Sequence, residues 1–308
     1  MYTFSKAFTM IELIFVIVIM GIIGKFGVGF LSQSYNTFIN STINSGLQAN
    51  SAQAVEFIGA RLQHRIKAST IAREPGGAFT SLRDYNNTTA EIIEWVGSDI
   101  DGFRGNGTPM WTGIIDLDLS VTSLPTSLLI SPNTDTGEVD NLIQALSGSN
   151  INDAAIYFVD PDALLFQWGW DANATKFDAQ NNVSIHPIHN NPLAVQNFLP
   201  VNGLGAGNSF NAIGLFGFEF YQLAWTAYAV GIVNWSGLRE SGDLVLWYDY
   251  QPWRGENFIA DGTRVTIMEN VSSFRFLARE SLVKIQVCVK SRLLANGVHA
   301  LCKEKTIF

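Results

Sequence analysis

The stretch Ala7-Phe8-Thr9-Met10-Ile11-Glu12, followed by the apolar run 13–24, decides how this chain is organised. The segment 8–30 carries two charged residues, Glu12 and Lys25. A helix of that length is about 35 Å long, which is enough to span a bilayer. A carboxylate costs about 2.5–3.5 kcal/mol at the centre of such a helix, so an acid inside the span is a candidate functional residue.

The alternative is an ordinary secretory signal peptide or a plain N-terminal anchor. A signal peptide has a longer basic region, an uncharged apolar core and a small-x-small cleavage site after it. In this chain Lys6 is the one charge before the apolar run, Glu12 interrupts the core, and no convincing Ala-x-Ala follows. Lys6 favours a cytoplasmic start, with the rest of the chain on the outer side.

This N-terminus resembles the processing site of type IV prepilins and type II secretion pseudopilins. In that family a short leader ending in Gly or Ala is followed by Phe-Thr-x-x-Glu and an apolar helix. The resemblance implies that prepilin peptidase cuts between Ala7 and Phe8, and that the new amino group of Phe8 is methylated. It also implies that Glu12 pairs with the N-terminal amine of a neighbouring subunit in a filament. Ala7 stands where Gly is commoner, although both residues are small.

The helix is predicted to continue well past the membrane, to about residue 69. The first proline is Pro75, and Val55, Ile58, Leu62 and Ile66 recur at helical spacing to form one apolar stripe. These features divide the chain into a leader, 1–7, a transmembrane helix, 8–30, an amphipathic continuation of that helix, 31–72, and a β-rich globular domain, 73–308.

A basic cluster lies mostly off the apolar stripe and is predicted to face solvent. Its members are Arg61, His64, Arg65 and Lys67.

Beyond Gly77 the chain changes to short alternating runs separated by Gly, Asn, Asp and Pro, which is typical of β-strands. The predicted strands are 127–130, 155–159, 164–168, 217–223, 244–250, 263–268, 273–278 and 282–289. The apolar segment 224–235 fits either a strand or a helix, and 102–113 and 201–214 are predicted to be loops. The fold class is therefore α+β: a long N-terminal helix, hydrophobic and then amphipathic as in a pilin spine, packs on a C-terminal β-rich globular domain.

The C-terminal part has a second resemblance, carried by the segments 243–250 and 263–276 and the strand that follows them. These resemble the J-type minor pseudopilins, in which a short turn ending in Val precedes the closing strands. The chain is longer than most J-type members, and an insertion would fit within 101–214.

Cys288 and Cys302 are the only cysteines in the chain. An even number in an exported domain favours one disulfide. Both lie in polar settings, and they can meet if the segments 283–290 and 300–307 pair as strands. Closing that loop would stabilise the fold by about 3 kcal/mol in the chain-entropy account. Two free thiols are the alternative.

Composition argues against several other functions. Charged residues make up 15% of the chain, the net charge is −8, and there is no basic run, so nucleic-acid binding is not expected. The sequence lacks a Gly-x-Ser-x-Gly elbow, a phosphate-binding loop and a dinucleotide fingerprint. We therefore predict a protein that is not an enzyme and has no catalytic residues and no cofactor.

Two segments could be considered for metals. His186 and His189 stand close together, but the proline between them disfavours a helix and no third ligand is evident, so no metal site is assigned. The segment 98–102, with Asn106 nearby, offers oxygen ligands but lacks the spacing of a twelve-residue calcium loop. Calcium binding is left as an open alternative, at a site that the sequence does not locate.

Two aromatic groups, Trp168-Gly-Trp170 and the segment 247–253, are expected to serve the core, with a carbohydrate-binding face as the alternative.

Taken together, the resemblance implies a minor pilin or pseudopilin, a structural subunit at or near the tip of a type II secretion pseudopilus or a type IV pilus. Its expected partners are other pilins or pseudopilins, prepilin peptidase, the inner membrane and the assembly platform. The expected location is the bacterial inner membrane, single-pass, with the C-terminal domain periplasmic, or extracellular once assembled in a pilus. The alternative is a membrane-anchored exported carbohydrate-binding protein or enzyme with a prepilin-like N-terminus.

Overall fold

The first element is one long α-helix, α1, Met10–Leu62. The structure is a computed structural model that describes residues 9–120, 129–159, 168–170, 185–200, 219–279, 281–291 and 299–308. The chain divides into two units: the first comprises Met1–Asn50 with Ser291–His299, and the second comprises Ser51–Lys290 with Ala300–Phe308.

The two parts of α1 differ as the sequence predicts. In the first unit the apolar side chains are exposed all round the helix, Ile11 at 77%, Phe15 at 68% and Phe26 at 73%. The last turns belong to the second unit, where Val55, Ile58 and the other stripe residues are buried. The predicted apolar stripe is therefore confirmed, and within the second unit it packs the last turns of α1 on the β-rich part.

The predicted end of the helix is wrong. We expected helix to about residue 69 within a helical segment 31–72, but α1 ends at Leu62 and only a short 3-10 turn follows, Lys67–Ser69. The intervening backbone bonds to strand β3, Ile92–Gly97: the Ile66 N–H donates to the Val96 carbonyl at 2.9 Å. Such tertiary hydrogen bonds override the weak local preference for helix.

Arg65 is a second correction, because it is not part of a solvated face. Its side chain is buried, and its guanidinium donates to the carbonyls of Leu62 and Ser281, each at 2.7 Å. Burial lowers the pKa of Arg65. These two hydrogen bonds offset the cost of removing the charge from water.

The larger of two sheets has eight strands, in the order β13-β12-β11-β10-β9-β3-β1-β2. The strands besides β3 are β1 (Ile71–Arg73), β2 (Phe79–Ser81), β9 (Thr226–Ser236), β10 (Ser241–Tyr248), β11 (Thr263–Arg279), β12 (Leu282–Ser291) and β13 (His299–Ile307).

A five-stranded antiparallel sheet is made from the chain between β3 and β9, in the order β4-β7-β6-β5-β8. Its strands are β4 (Leu129–Ile130), β5 (Ala155–Phe158), β6 (Ile185–Asn190), β7 (Asn197–Pro200) and β8 (Tyr221–Ala224). The same interval holds the helices α2 (Ile100–Arg104), α3 (Leu117–Ser120) and α4 (Thr136–Leu146). Because β3 and β9 pair directly, the second sheet is an insertion between neighbouring strands.

The strand predictions are confirmed at several places and wrong at others. The ambiguous segment 224–235 is mostly the strand β9, and 102–113 begins inside α2 rather than as loop. The segments 263–268 and 273–278 are one strand, β11, with a register shift between Val271 and Ser273 in place of a turn. Of the predicted segments, residues 127–128, 164–167, 201–214 and 217–218 lie outside the described residues.

β12 and β13 pair at one edge of the large sheet, and a disulfide joins Cys288 to Cys302. An ion pair also ties Lys305 of β13 to Glu56 of α1. Next to it, the aliphatic part of the Lys305 side chain lies over Gly59, where an added Cβ would be 2.9 Å from Lys305 Cδ.

Candidate functional site at the amino-terminal helix

Thr9 and Glu12 form a reciprocal cap at the start of α1. The Glu12 N–H donates to Thr9 Oγ1 at 3.4 Å, while Glu12 Oε2 accepts from the Thr9 N–H at 3.3 Å and from the Thr9 hydroxyl at 3.1 Å. The Thr9 carbonyl accepts the N–H of Leu13, as expected of a residue that caps a helix. This is a capping box, in which Thr and Glu three residues apart satisfy N–H groups that the first turn leaves free.

Glu12 is exposed among apolar side chains of the helix. Ile11 and Phe15 beside it are exposed, and among the residues that the structure describes no cation pairs with its carboxylate. The helix dipole favours a negative charge in the first turn. A carboxylate in lipid nevertheless needs a cationic partner to offset its loss of hydration. The cap therefore fixes the position of Glu12 without supplying that partner.

α1 is long and apolar enough to cross a membrane. All 53 residues of the helix would extend over about 80 Å. That is more than twice the hydrocarbon thickness of a bilayer, so helix remains beyond a single span.

Ala7 and Phe8 lie outside the described residues. Cleavage between them and methylation of Phe8 therefore stay predictions from the resemblance.

The candidate calcium segment 98–102 has a structural explanation. Asp99 caps α2 by accepting the Gly102 N–H at 3.1 Å, and its carboxylate also accepts the indole N–H groups of Trp111 at 3.0 Å and Trp225 at 3.4 Å. Burial raises the pKa of Asp99, and these hydrogen bonds oppose the rise. Within the described ranges, no group of three or more His, Cys, Asp or Glu side chains could hold a metal ion.

His186 and His189 both lie on strand β6. Residues three apart on a strand face opposite sides of the sheet, so the pair does not converge on one ion. His186 is buried, with its ring edge-on to Phe158 at 5.5 Å between centroids, and burial lowers its pKa to about 3.

The aromatic groups are buried in the core. One hydrophobic cluster contains Trp168, Trp170, Trp247, Tyr250 and Trp253. The indole of Trp170 donates to the Ser69 carbonyl at 3.1 Å, and that of Trp253 donates to the Asp153 carbonyl at 2.9 Å. The interpretation of these residues as core is confirmed, and they do not form an exposed carbohydrate-binding face.

The β-rich unit contains a buried ion pair that was not predicted from the sequence. Arg73 of β1 donates through Nε to Glu94 of β3, whose side chain is 1% exposed. Burial raises the pKa of Glu94, and the neighbouring guanidinium opposes that rise. The available signal was the position of Glu94, a single acid inside the apolar run 92–96.

No known protein-family model, curated protein or solved structure matches this chain.

Proposed function

We propose that this chain is a minor pilin or pseudopilin, a structural subunit of a type II secretion pseudopilus or a type IV pilus. The observation that carries the proposal is an exposed apolar helix with one capped carboxylate, Glu12, in its first turn, which makes no ion pair with any residue that the structure describes. The β-rich unit that follows the helix suits a subunit anchored in a membrane by its N-terminus.

The arrangement of Glu12 supports a role in assembly. Oε2 takes the two hydrogen bonds from Thr9, and no hydrogen bond to Oε1 is found within the described ranges. A charge-assisted bond from an amine to the free oxygen would be strong in an apolar environment. After cleavage between Ala7 and Phe8, the N-terminal amine of a neighbouring subunit would be such a donor.

The size of the β-rich unit bears on where the subunit would sit. Two sheets and an inserted interval of more than a hundred residues make it bulky, and a bulky domain is hard to repeat along a tightly packed filament. We therefore place the subunit at or near the tip, in low copy number, where it would start assembly or contact cargo. The two kinds of filament remain alternatives within this proposal.

The alternative of a tethered carbohydrate-binding protein loses its main support. It depended on the aromatic groups, and these are buried.

Two substitutions separate the charge of Glu12 from its capping role. Glu12→Gln keeps an acceptor for the Thr9 N–H but removes the charge, whereas Thr9→Ala removes the cap and keeps the charge. Each variant is expressed in the native host, and the fraction of subunit in sheared filaments is measured. We expect Glu12→Gln to remain in the membrane and Thr9→Ala to assemble. Normal assembly of Glu12→Gln would contradict the proposal.

A further inference from the structure

The polar part of α1, residues 32–50, is a weak helix by itself. Twelve of its nineteen residues are Ser, Thr, Asn or Gln. Ser, Thr and Asn have low helix propensity, because their side chains compete for backbone hydrogen bonds. Helices in proteins owe most of their stability to packing, but most of this stretch is exposed. The composition therefore indicates a packing partner that the described chain supplies only in part.

Large apolar side chains follow one line along the exposed side of α1 beyond the predicted span. Leu31, Tyr35 and Phe38 are 66–69% exposed. The smaller residues that continue the line, also exposed, are Thr42, Ser45 and Ala49. The spacing alternates between four and three residues, which is the pattern of the a and d positions of a coiled coil, with Tyr35 at a and Phe38 at d.

The half-buried residues of the same stretch are 39, 40, 43, 44 and 47. None of them occupies an a or d position of this pattern. The described chain therefore covers other sides of the helix and leaves this line open.

The same spacing continues back through the apolar span. The positions that it takes in, all of them exposed, are Val28, Gly24, Gly21, Ile17, Ile14 and Met10. We call the whole line from Met10 to Ala49 the seam, and it is about 60 Å long at the rise of an α-helix. No described atom lies within 4 Å of a Cβ placed on Gly21 or Gly24, apart from the backbone of the helix itself. Small residues of this kind let a second helix approach closely inside a bilayer.

The continuity of the seam with the span indicates the kind of partner. A partner along the whole seam must itself leave the bilayer beside α1, so it is another membrane-anchored helix. A second copy of this chain meets that condition. Its seam is self-complementary, because in a parallel pair each a or d position faces the same position of the other helix. Ile14 and Val28 at a positions, with Leu31 at d, favour two strands over three or four.

The two charges of the apolar span do not oppose such a pair. Glu12 lies two residues before Ile14, which places it about 200° around the helix and so on the side away from the seam. Lys25 lies beside the seam rather than in it. Neither charge would be buried between the two helices.

We propose that α1 pairs with α1 of a second copy along the seam, with the helices parallel and in equal register. In the bilayer, close packing at Gly21 and Gly24 would hold the pair. Beyond it, the burial of Tyr35 and Phe38 would add the hydrophobic effect. In this pair Glu12 faces away from the partner, so the contact is different from the one proposed for the filament and does not depend on it.

The first test is disulfide cross-linking of the full-length chain in liposomes of phosphatidylethanolamine and phosphatidylglycerol, with no other protein present. The two natural cysteines are joined to each other, so one added cysteine reports one contact. Thr42→Cys places a thiol in the seam, and Thr37→Cys places one on the far side. The two are matched, because each threonine hydroxyl donates to the carbonyl four residues before it, at 3.0 Å for Thr42 and 2.9 Å for Thr37.

After oxidation with copper phenanthroline, non-reducing gels show which variants form covalent dimers. A disulfide needs Cα atoms within about 7 Å, so we expect a dimer from Thr42→Cys and none from Thr37→Cys. Ser45→Cys in the seam and Gln33→Cys on the far side repeat the comparison one turn away.

The second test measures the strength of the pair. Tyr35→Ala with Phe38→Ala removes the two largest side chains of the seam. Energy transfer between labelled copies is followed as the liposomes are diluted with lipid, and the dissociation constant should rise about tenfold or more. Phe26→Ala with Phe30→Ala is the control, because it removes two similarly exposed aromatic side chains that lie off the seam, and it should leave the constant unchanged.

Four results would overturn the proposal: no cross-link at any position, equal cross-linking on and off the seam, cross-linking only on the far side, or a dissociation constant that the Tyr35 and Phe38 double variant leaves unchanged. The same cysteine variants in the native membrane provide a further check. Seam cross-links to a different protein in place of a second copy would also overturn it, and would identify the occupant as another anchored helix.

Discussion

Acid should destabilise the β-rich unit through His186. This histidine is buried on β6, and its Nδ1 has no hydrogen-bond partner in the part of the chain that the structure describes. Burial lowers its pKa from 6.5 to about 3. The folded state therefore excludes a proton that the unfolded chain binds readily in mild acid.

The direction of the pH effect on stability follows from the lowered pKa of His186 in the folded chain. The stabilising contribution of neutral His186 is complete above pH 6.5 and is lost as the pH falls toward about 3. Each pH unit in that window removes about 1.4 kcal/mol, so lowering the pH from 7.5 to 5.0 removes about 2 kcal/mol through this residue. Domains are typically stable by about 5–15 kcal/mol, so the loss is measurable.

The assay is urea unfolding of the full-length chain in detergent, with the disulfide intact, followed by tryptophan fluorescence at pH 7.5 and 5.0. His186→Leu should lose about 2 kcal/mol less between the two pH values than the natural chain does. His189→Leu should show a smaller reduction, because His189 is only half-buried and its pKa is also lowered by burial. If the natural chain and His186→Leu lose the same free energy, the reasoning is refuted.

Further predictions concern the ion pair, the disulfide and the processing site. Arg73→Met should lower the free energy of unfolding by about 3–5 kcal/mol, because it leaves Glu94 buried without its cation. Adding Glu94→Leu should recover much of that loss, and urea unfolding of both variants checks it. Replacing Cys288 and Cys302 by Ser should cost about 3 kcal/mol, again by urea unfolding; no change would contradict a stabilising disulfide. Ala7→Leu should leave an uncut precursor, and a Phe8 start in its mass spectrum would contradict the cleavage assignment.

Local patterns predicted the elements whose stability comes from one periodic face. The stripe that includes Val55 and Ile58 could be recognised because residues at helical spacing share a face. The strand β12 could be recognised from alternation, and Val283, Ile285 and Val287 are buried as expected.

The end of α1 could not be predicted locally, because it depends on tertiary contacts such as the hydrogen bond from the Ile66 N–H to Val96, thirty residues further along the chain. The helix α4 could have been found. Asp135 caps it by accepting the N–H groups of Gly137 at 2.9 Å and Glu138 at 3.2 Å, and Val139 and Ile143 recur at helical spacing. An acidic residue before such a spacing is a readable helix start.

Sites that form from residues distant in the chain were harder to predict from the sequence than the helices and strands. Thr9 and Glu12 lie three residues apart, so a local motif brings them together. The buried ion pair instead joins Arg73 and Glu94, which are far apart in sequence and meet because β1 and β3 pair in the large sheet. Nothing in the sequence indicates which acid will face which cation.

The most direct test of the filament proposal is the N-terminal mass of the chain purified from its native membrane. The proposal predicts a chain that begins at Phe8 with one methyl group on its amine. A chain that begins at Met1, or that has been cut after the apolar stretch, would contradict it. Glu12 would then be a capped carboxylate in an ordinary anchor or signal segment.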